Sequence, residues 1–156
     1  RLRAKFSQGD KMAKIPVHLQ SYVDDAFPKN VILVGTVLED GYAQVSPRGS
    51  VLVWDEETLA FWDRGRGQTH DTVQNGTKLT FYFRNTDLRD DGTLPKGGIA
   101  RFYGTAELHL DGAVRDSVYD KMKQPERDRD PEKAGSAVLV KIERSEDLSG
   151  NPLDDP

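Results

Sequence analysis

Two segments order this chain: Val45-Ser46-Pro47-Arg48-Gly49 and Trp62-Asp63-Arg64-Gly65-Arg66-Gly67-Gln68-Thr69. Between them lie two short apolar runs, Ser50–Trp54 and Thr58–Trp62, joined by the acidic turn Asp55-Glu56-Glu57, which read as a hairpin. Pro47 fixes φ just before Arg48, and Gly49 lets another group approach the backbone. Arg64 and Arg66 flank Gly65, and Gly67 and Thr69 stand at an expected helix N-terminus. Backbone N–H groups, the helix dipole and guanidinium forks together suit an anion such as phosphate. The same residues also read as two ordinary polar turns with surface arginines, and composition does not separate the two readings.

Working outward, Val31–Leu38 is apolar almost throughout, which predicts a strand covered on both faces. Asp40-Gly41 predicts a hairpin turn into a strand at Tyr42–Val45. Lys78–Arg84 alternates Leu79, Phe81 and Phe83 with Thr80, Tyr82 and Arg84, and Ile99–Leu110 is long enough to bend or bulge at Gly104. Ala137–Ile142 completes the strands. Leu19, Tyr22, Val23, Ala26 and Phe27 fall at helical spacing within residues 17–27, bounded by Pro16 and Pro28. Two shorter helices are expected at Thr69–Gln74, closed by Asn75-Gly76, and at Ala113–Met122. Gln124–Lys133 reads as a solvated loop, and residues 86–98 as a surface loop with a lid as the alternative. Seven short strands and few helices predict a mainly β (α+β) barrel.

The 156 residues fit one domain. A net charge of −4, with basic residues scattered, argues against nucleic acid as partner. Without cysteine there is no disulfide, thiolate nucleophile or Cys-based metal site, which fits a cytoplasmic protein. No apolar run reaches the roughly 18–20 residues of a membrane span. Residues 1–11 are expected to be an added extension or a loose arm, 12–146 the folded domain and 147–156 a polar tail. His18, His70 and His109 have no metal-ligand spacing, and no G-x-S-x-G elbow is present. Arg101 and Tyr103 share one strand face, where a salt bridge for Arg101 is expected ahead of a ligand contact. Trp54 and Trp62 read as packing aromatics, with stacking on a ligand ring as the alternative.

The order Gly41-Tyr42-Ala43-Gln44-Val45-Ser46-Pro47-Arg48-Gly49, strand, acidic turn, Thr58-Leu59-Ala60-Phe61-Trp62-Asp63-Arg64-Gly65-Arg66-Gly67 resembles the pyridoxamine 5′-phosphate oxidase-like family. Leu79–Asn85 and Ile99–Ala106 extend the resemblance, which spans residues 17–145. It implies an FMN-binding split β-barrel of six to seven strands with a few peripheral helices. It further implies a homodimer with the cofactor at the interface. Val45, Ser46, Pro47, Arg48 and Gly49 would then lie beside the flavin ring or ribityl chain. The turn after Trp62, with Arg64, Gly65, Arg66 and Gly67, would take the phosphate. Thr69 stands where the oxidases proper carry a phosphate-gripping lysine, which leaves the charge to the arginines.

The implied activity is hydride transfer through flavin N5 between a small organic substrate and a donor such as NADH or NADPH. No single catalytic residue is expected and none is named. Asp147–Pro156 is unlike the aromatic and arginine-rich C-terminal segment of the oxidases proper, so vitamin B6 oxidation is not the expected main activity. Alternatives are a reductase using the deazaflavin F420, a non-catalytic flavin or haem carrier or sensor, and a β-barrel interaction module without cofactor.

Overall fold

Seven strands pair antiparallel throughout, in the order β2-β1-β5-β6-β7-β4-β3. The structure is a computed structural model that describes residues 14–154, so the arm expected at 1–11 lies outside the described residues. In chain order the elements are α1 (Val17–Asp24), β1 (Ile32–Val37), β2 (Ala43–Arg48), β3 (Leu52–Asp55), β4 (Thr58–Asp63), α2 (Gln68–Thr72) and β5 (Lys78–Arg84). They continue with α3 (Thr86–Asp90), β6 (Ile99–His109), α4 (Gly112–Lys121), α5 (Gln124–Arg127) and β7 (Ser136–Asp147). The sheet coils without closing, since β2 and β3 end its two sides unpaired with each other. The mainly β split barrel expected from the sequence is the fold. No helix among the described residues is long and apolar enough to cross a membrane.

Period-two alternation decides what fills the barrel. Ile32 and Val34 on β1, Leu79, Phe81 and Phe83 on β5, Phe102 on β6, Val140 and Ile142 on β7 and Leu59 and Phe61 on β4 form one buried core. Leu19 and Val23 of α1 plug it. Tyr22, expected on the same helical face, is exposed instead, because the helix ends at Asp24 and presents only a narrow apolar stripe. A second, smaller core forms where Ala60 and Trp62 of β4 meet Val118 and Met122 around α4, with Trp54 and Tyr119 at its edge.

Several local expectations change. β1 is not covered on both faces: Leu33 and Gly35 are half-buried and Val37 is 67% exposed, although the row is apolar. Ser46-Pro47-Arg48 is no turn but the end of β2, paired with β1 from Ile32 to Val37. Asn75-Gly76 does not cap α2, which closes at Val73. The pair is pinned to β6 instead, through Gly76 N–H to Ala106 O at 2.8 Å and Leu108 N–H to Asn75 Oδ1 at 2.7 Å. Residues 86–98 fold over the core with Leu88 and Leu94 buried, so this loop is a packed cover, not a free lid. Gln124–Lys133 contains α5 and the buried Asp130.

Gly104 marks the bulge anticipated in β6, where the register with β7 shifts between Tyr103 and Gly104. A Cβ added there would lie 2.4 Å from Lys141 O and 2.8 Å from Val140 Cγ1, backbone and core that cannot yield cheaply. Gly104→Ala is expected to lower the unfolding free energy by about 2 kcal/mol, read from urea denaturation, through overpacking alone.

Candidate functional site

β2 contributes to two unlike surfaces, Val45 to one and Pro47 and Arg48 to the other. Cross-strand pairing aligns Ala43, Val45 and Pro47 with Val37, Gly35 and Leu33 of β1, and Leu33 and Gly35 with Tyr82 and Thr80 of β5. Thr80 in turn pairs with Tyr103 of β6. This outer sheet face forms an open groove of about 510 Å³, floored by Leu33, Val45, Tyr82 and Tyr103. Gly35 leaves its floor flat, since an added Cβ would meet Thr80 only at 3.8 Å. A volume of this size falls within the range of small-molecule sites.

Beyond Val45, a cleft of about 190 Å³ opens, lined by Pro47, Arg48, Gly49, Trp62, Arg64 and Arg129, with Phe27 and Glu126 on its walls. Val45 and Pro47 are two residues apart on one strand, about 7 Å. The Arg48 guanidinium lies over the Phe61 ring, 5.4 Å from its centroid. Burial pushes its pKa down, Asp63 counteracts, Arg64 adds to the lowering and Glu126 counteracts again. Arginine still stays charged at neutral pH. Among the described residues, the buried side-chain polar atoms without a hydrogen-bond partner are Arg48 Nε, in this cleft, and Thr36 Oγ1, which borders the groove. An orphaned buried donor costs about 1–3 kcal/mol and calls for a partner.

The turn after Trp62 is shaped by Asp63. Its Oδ1 accepts the Gly65 N–H at 2.9 Å and its Oδ2 meets His70 Nδ1 at 2.8 Å. Gly65 and Gly67 have φ of 85° and 93°, which a side chain rarely adopts. Thr69 is buried and donates to Gln44 Oε1 at 3.1 Å, while Gln44 Nε2 donates to Ser46 Oγ at 2.5 Å. These contacts tie α2 to β2, so Thr69 and Ser46 hold the scaffold and not an open surface. Arg66, Gly65 and Gly67 are exposed at the tip of the turn and line neither groove nor cleft.

The structure thus divides the residues singled out in the sequence. Pro47, Arg48, Gly49, Trp62 and Arg64 converge on the cleft, and Val45 joins the groove. Trp62 is only 3% exposed, with its Nε1–H donating to Asp130 Oδ2 at 2.8 Å; it forms a wall held from behind, not a free stacking plate. Arg101 makes the ion pair expected of it, Nε to Glu146 Oε2 at 3.0 Å. Tyr103 donates to the same oxygen at 2.9 Å, and Arg144 lies 4.0 Å from the centroid of its ring. Burial, then the Glu146 hydrogen bond, pushes the Tyr103 hydroxyl up. Glu126 and Arg129 were missed because their segment reads as solvated charge, and only contacts distant in sequence bring it to the cleft.

An open antiparallel barrel with an apolar groove on its outer face and a separate arginine-lined cleft at the end of β2 defines a split-barrel domain with room for a small-molecule ligand. The chain belongs to the pyridoxamine 5′-phosphate oxidase family, whose profile matches residues 25–146. HupZ of Group A Streptococcus has a similar fold, at TM-score 0.61 and 24% identity over 85% of this chain and 97% of that one. An F420 reductase superposes at 0.57 with 19% identity, over 84% and 98% of the two chains. An FMN-binding protein from Syntrophomonas wolfei superposes at 0.56 with 15% identity, over 82% and 84%. At these identities the likeness is one of fold. No curated protein is significantly similar in sequence.

Proposed function

We propose that this protein binds FMN and acts as an FMN-dependent oxidoreductase on a small organic substrate. The observation that carries the reading is an arginine-lined cleft at the end of β2 beside an apolar groove on the outer sheet face, with the partly buried Arg48 guanidinium lining the cleft. Arg48 and Arg64 would hold the phosphate, and Leu33, Gly35, Val45 and Tyr82 would lie against the ring. FMN bound there would supply a two-electron carrier that exchanges hydride at N5. The chain's own part is placement: two guanidinium groups fix the tail, and the glycine-flattened floor takes the ring face.

A homodimer completes this reading. Val37, Tyr42 and Val45 leave an exposed apolar strip along the groove, and a second copy laid over it would roof the ring and exclude water. NADH or NADPH is the proposed donor. A deazaflavin of the F420 type also joins a flat ring to a phosphate, and the fold shared with an F420 reductase makes it the second reading. The deciding experiment is the visible spectrum of the purified chain, desalted and then re-desalted after incubation with FMN. A retained flavin spectrum is the expected result, whereas a colourless protein that also fails to take up added FMN rejects the proposal.

A further inference from the structure

Glu126 stands inside the arginine cleft. Its side chain is only 13% exposed, and its Oε2 lies 3.7 Å from Arg129 Nε. The same oxygen would sit 2.8 Å from a Cβ built on Gly49, so the bare glycine backbone makes room for it. Glu126 is also close enough to Arg48 to stabilise that buried charge. One carboxylate therefore faces Arg48 and Arg129 in a cleft that Arg64 also lines. It leaves Arg48 Nε without a hydrogen-bond partner among the described residues.

We infer that Glu126 is the resident counter-ion of this cleft and gives up its place to the oxyanion of a phosphate ester, with Arg129 completing the binding set. The inference rests on the phosphate placement proposed above and adds the residue that competes with it. A phosphate dianion brings more charge and more acceptor oxygens than one carboxylate, so it can engage the Arg48 guanidinium together with Arg64 and Arg129. Released from the cleft, the Glu126 side chain turns to solvent about its own bonds while α5, held through Arg127 and Asp130, stays in place. The exchange makes affinity for a phosphorylated ligand depend on how tightly the protein holds its own carboxylate.

The test is calorimetric titration of the full chain with inorganic phosphate, FMN and riboflavin. Glu126→Gln keeps the shape and removes the charge. It is expected to tighten inorganic phosphate and FMN about fivefold, the size of one partly screened charge interaction, and to leave riboflavin unchanged. Glu132→Gln, an exposed charge in the same segment, should change none of the three. Phosphate binding that is unaltered or weakened in Glu126→Gln overturns the inference, as does no measurable phosphate binding by either protein. In the unmutated chain, the Glu126 carboxyl carbon resonance should shift on saturation with phosphate, and a stationary resonance overturns the inference without any variant. Equal affinity of the unmutated chain for FMN and riboflavin would instead refute the phosphate placement itself.

Discussion

Replacing Arg48 by Met and Arg64 by Ala together is expected to weaken FMN binding about a hundredfold or more while changing riboflavin binding less than about threefold. Charge-assisted hydrogen bonds contribute about 1.5–3 kcal/mol each, so two lost contacts amount to about 3 kcal/mol at the least. Methionine is chosen at position 48 because the guanidinium lies over Phe61, and an apolar side chain of similar length keeps that ring covered. Riboflavin has the same ring and ribityl chain without the phosphate, so it reports on the groove alone. Arg66→Ala should have little effect on either ligand, since Arg66 projects from the tip of the turn and lines no part of the cleft. Competition titrations monitored by flavin fluorescence measure both variants. A loss shared equally by FMN and riboflavin would mean that the phosphate is held elsewhere.

That choice of arginines shows where sequence was sufficient and where it was not. The positions of the strands and the bulge at Gly104 follow from local pattern, because alternation and glycine placement are properties of neighbouring residues, whereas the acid that pairs with Arg101 is Glu146, 45 positions later. The pairing of Arg48 with Arg64 in one cleft was legible as well, since a hairpin returns the chain to where it started. Arg66 looked equivalent to Arg64 in sequence, yet the two differ because Asp63 Oδ1 takes the Gly65 N–H and turns the tip outward.

What remained hidden depends on partners distant in sequence. The apolar row Val31–Leu38 was expected to be covered twice, but an apolar strand face and an uncovered apolar face have the same composition. Only the folded structure reveals that Leu33 and Gly35 are half-buried and Val37 exposed. The segment Gln124–Lys133 is charged and proline-bearing, which favours solvent in the absence of compensation. Asp130 is buried all the same because three donors meet it, one of them on a tryptophan 68 positions earlier. The clamp around Asp130 sets the position of Glu126 and Arg129, so the chemistry of the cleft depends on a contact that no periodicity records.

Asp130→Asn is accordingly expected to be the most destabilising single change proposed, by about 3 kcal/mol, or about 10 °C in melting temperature for a domain of this size. Asp130 Oδ2 accepts from Trp62 Nε1–H and Gly135 N–H, both at 2.8 Å, and Oδ1 accepts from Ala134 N–H at 2.9 Å. An amide would turn a donor toward one of these donors and leave it unpaired. Relaxation is blocked nearby, since a Cβ at Gly135 would lie 2.3 Å from Asp63 O and 2.6 Å from Trp62 Nε1. Tyr119 OH donates to Asp130 O at 2.8 Å, and Arg115, lying 5.2 Å from the Trp62 ring centroid, donates to Gly135 O at 3.0 Å. Burial alone would raise the Asp130 carboxyl, but the Ala134 amide, the Trp62 indole, the Gly135 amide and Arg115 together hold it below the ordinary carboxylate range. A carboxyl lowered in the folded state stabilises the fold above its unfolded pKa of about 3.9, and that stabilisation disappears as pH falls through the lower folded value. The difference in melting temperature between the unmutated chain and Asp130→Asn should therefore be full at neutral pH and shrink steadily below about pH 4. A difference that stays constant down to about pH 2 would show that the amide acts by misfit alone and that the ionised carboxylate is not what holds the segment against Trp62.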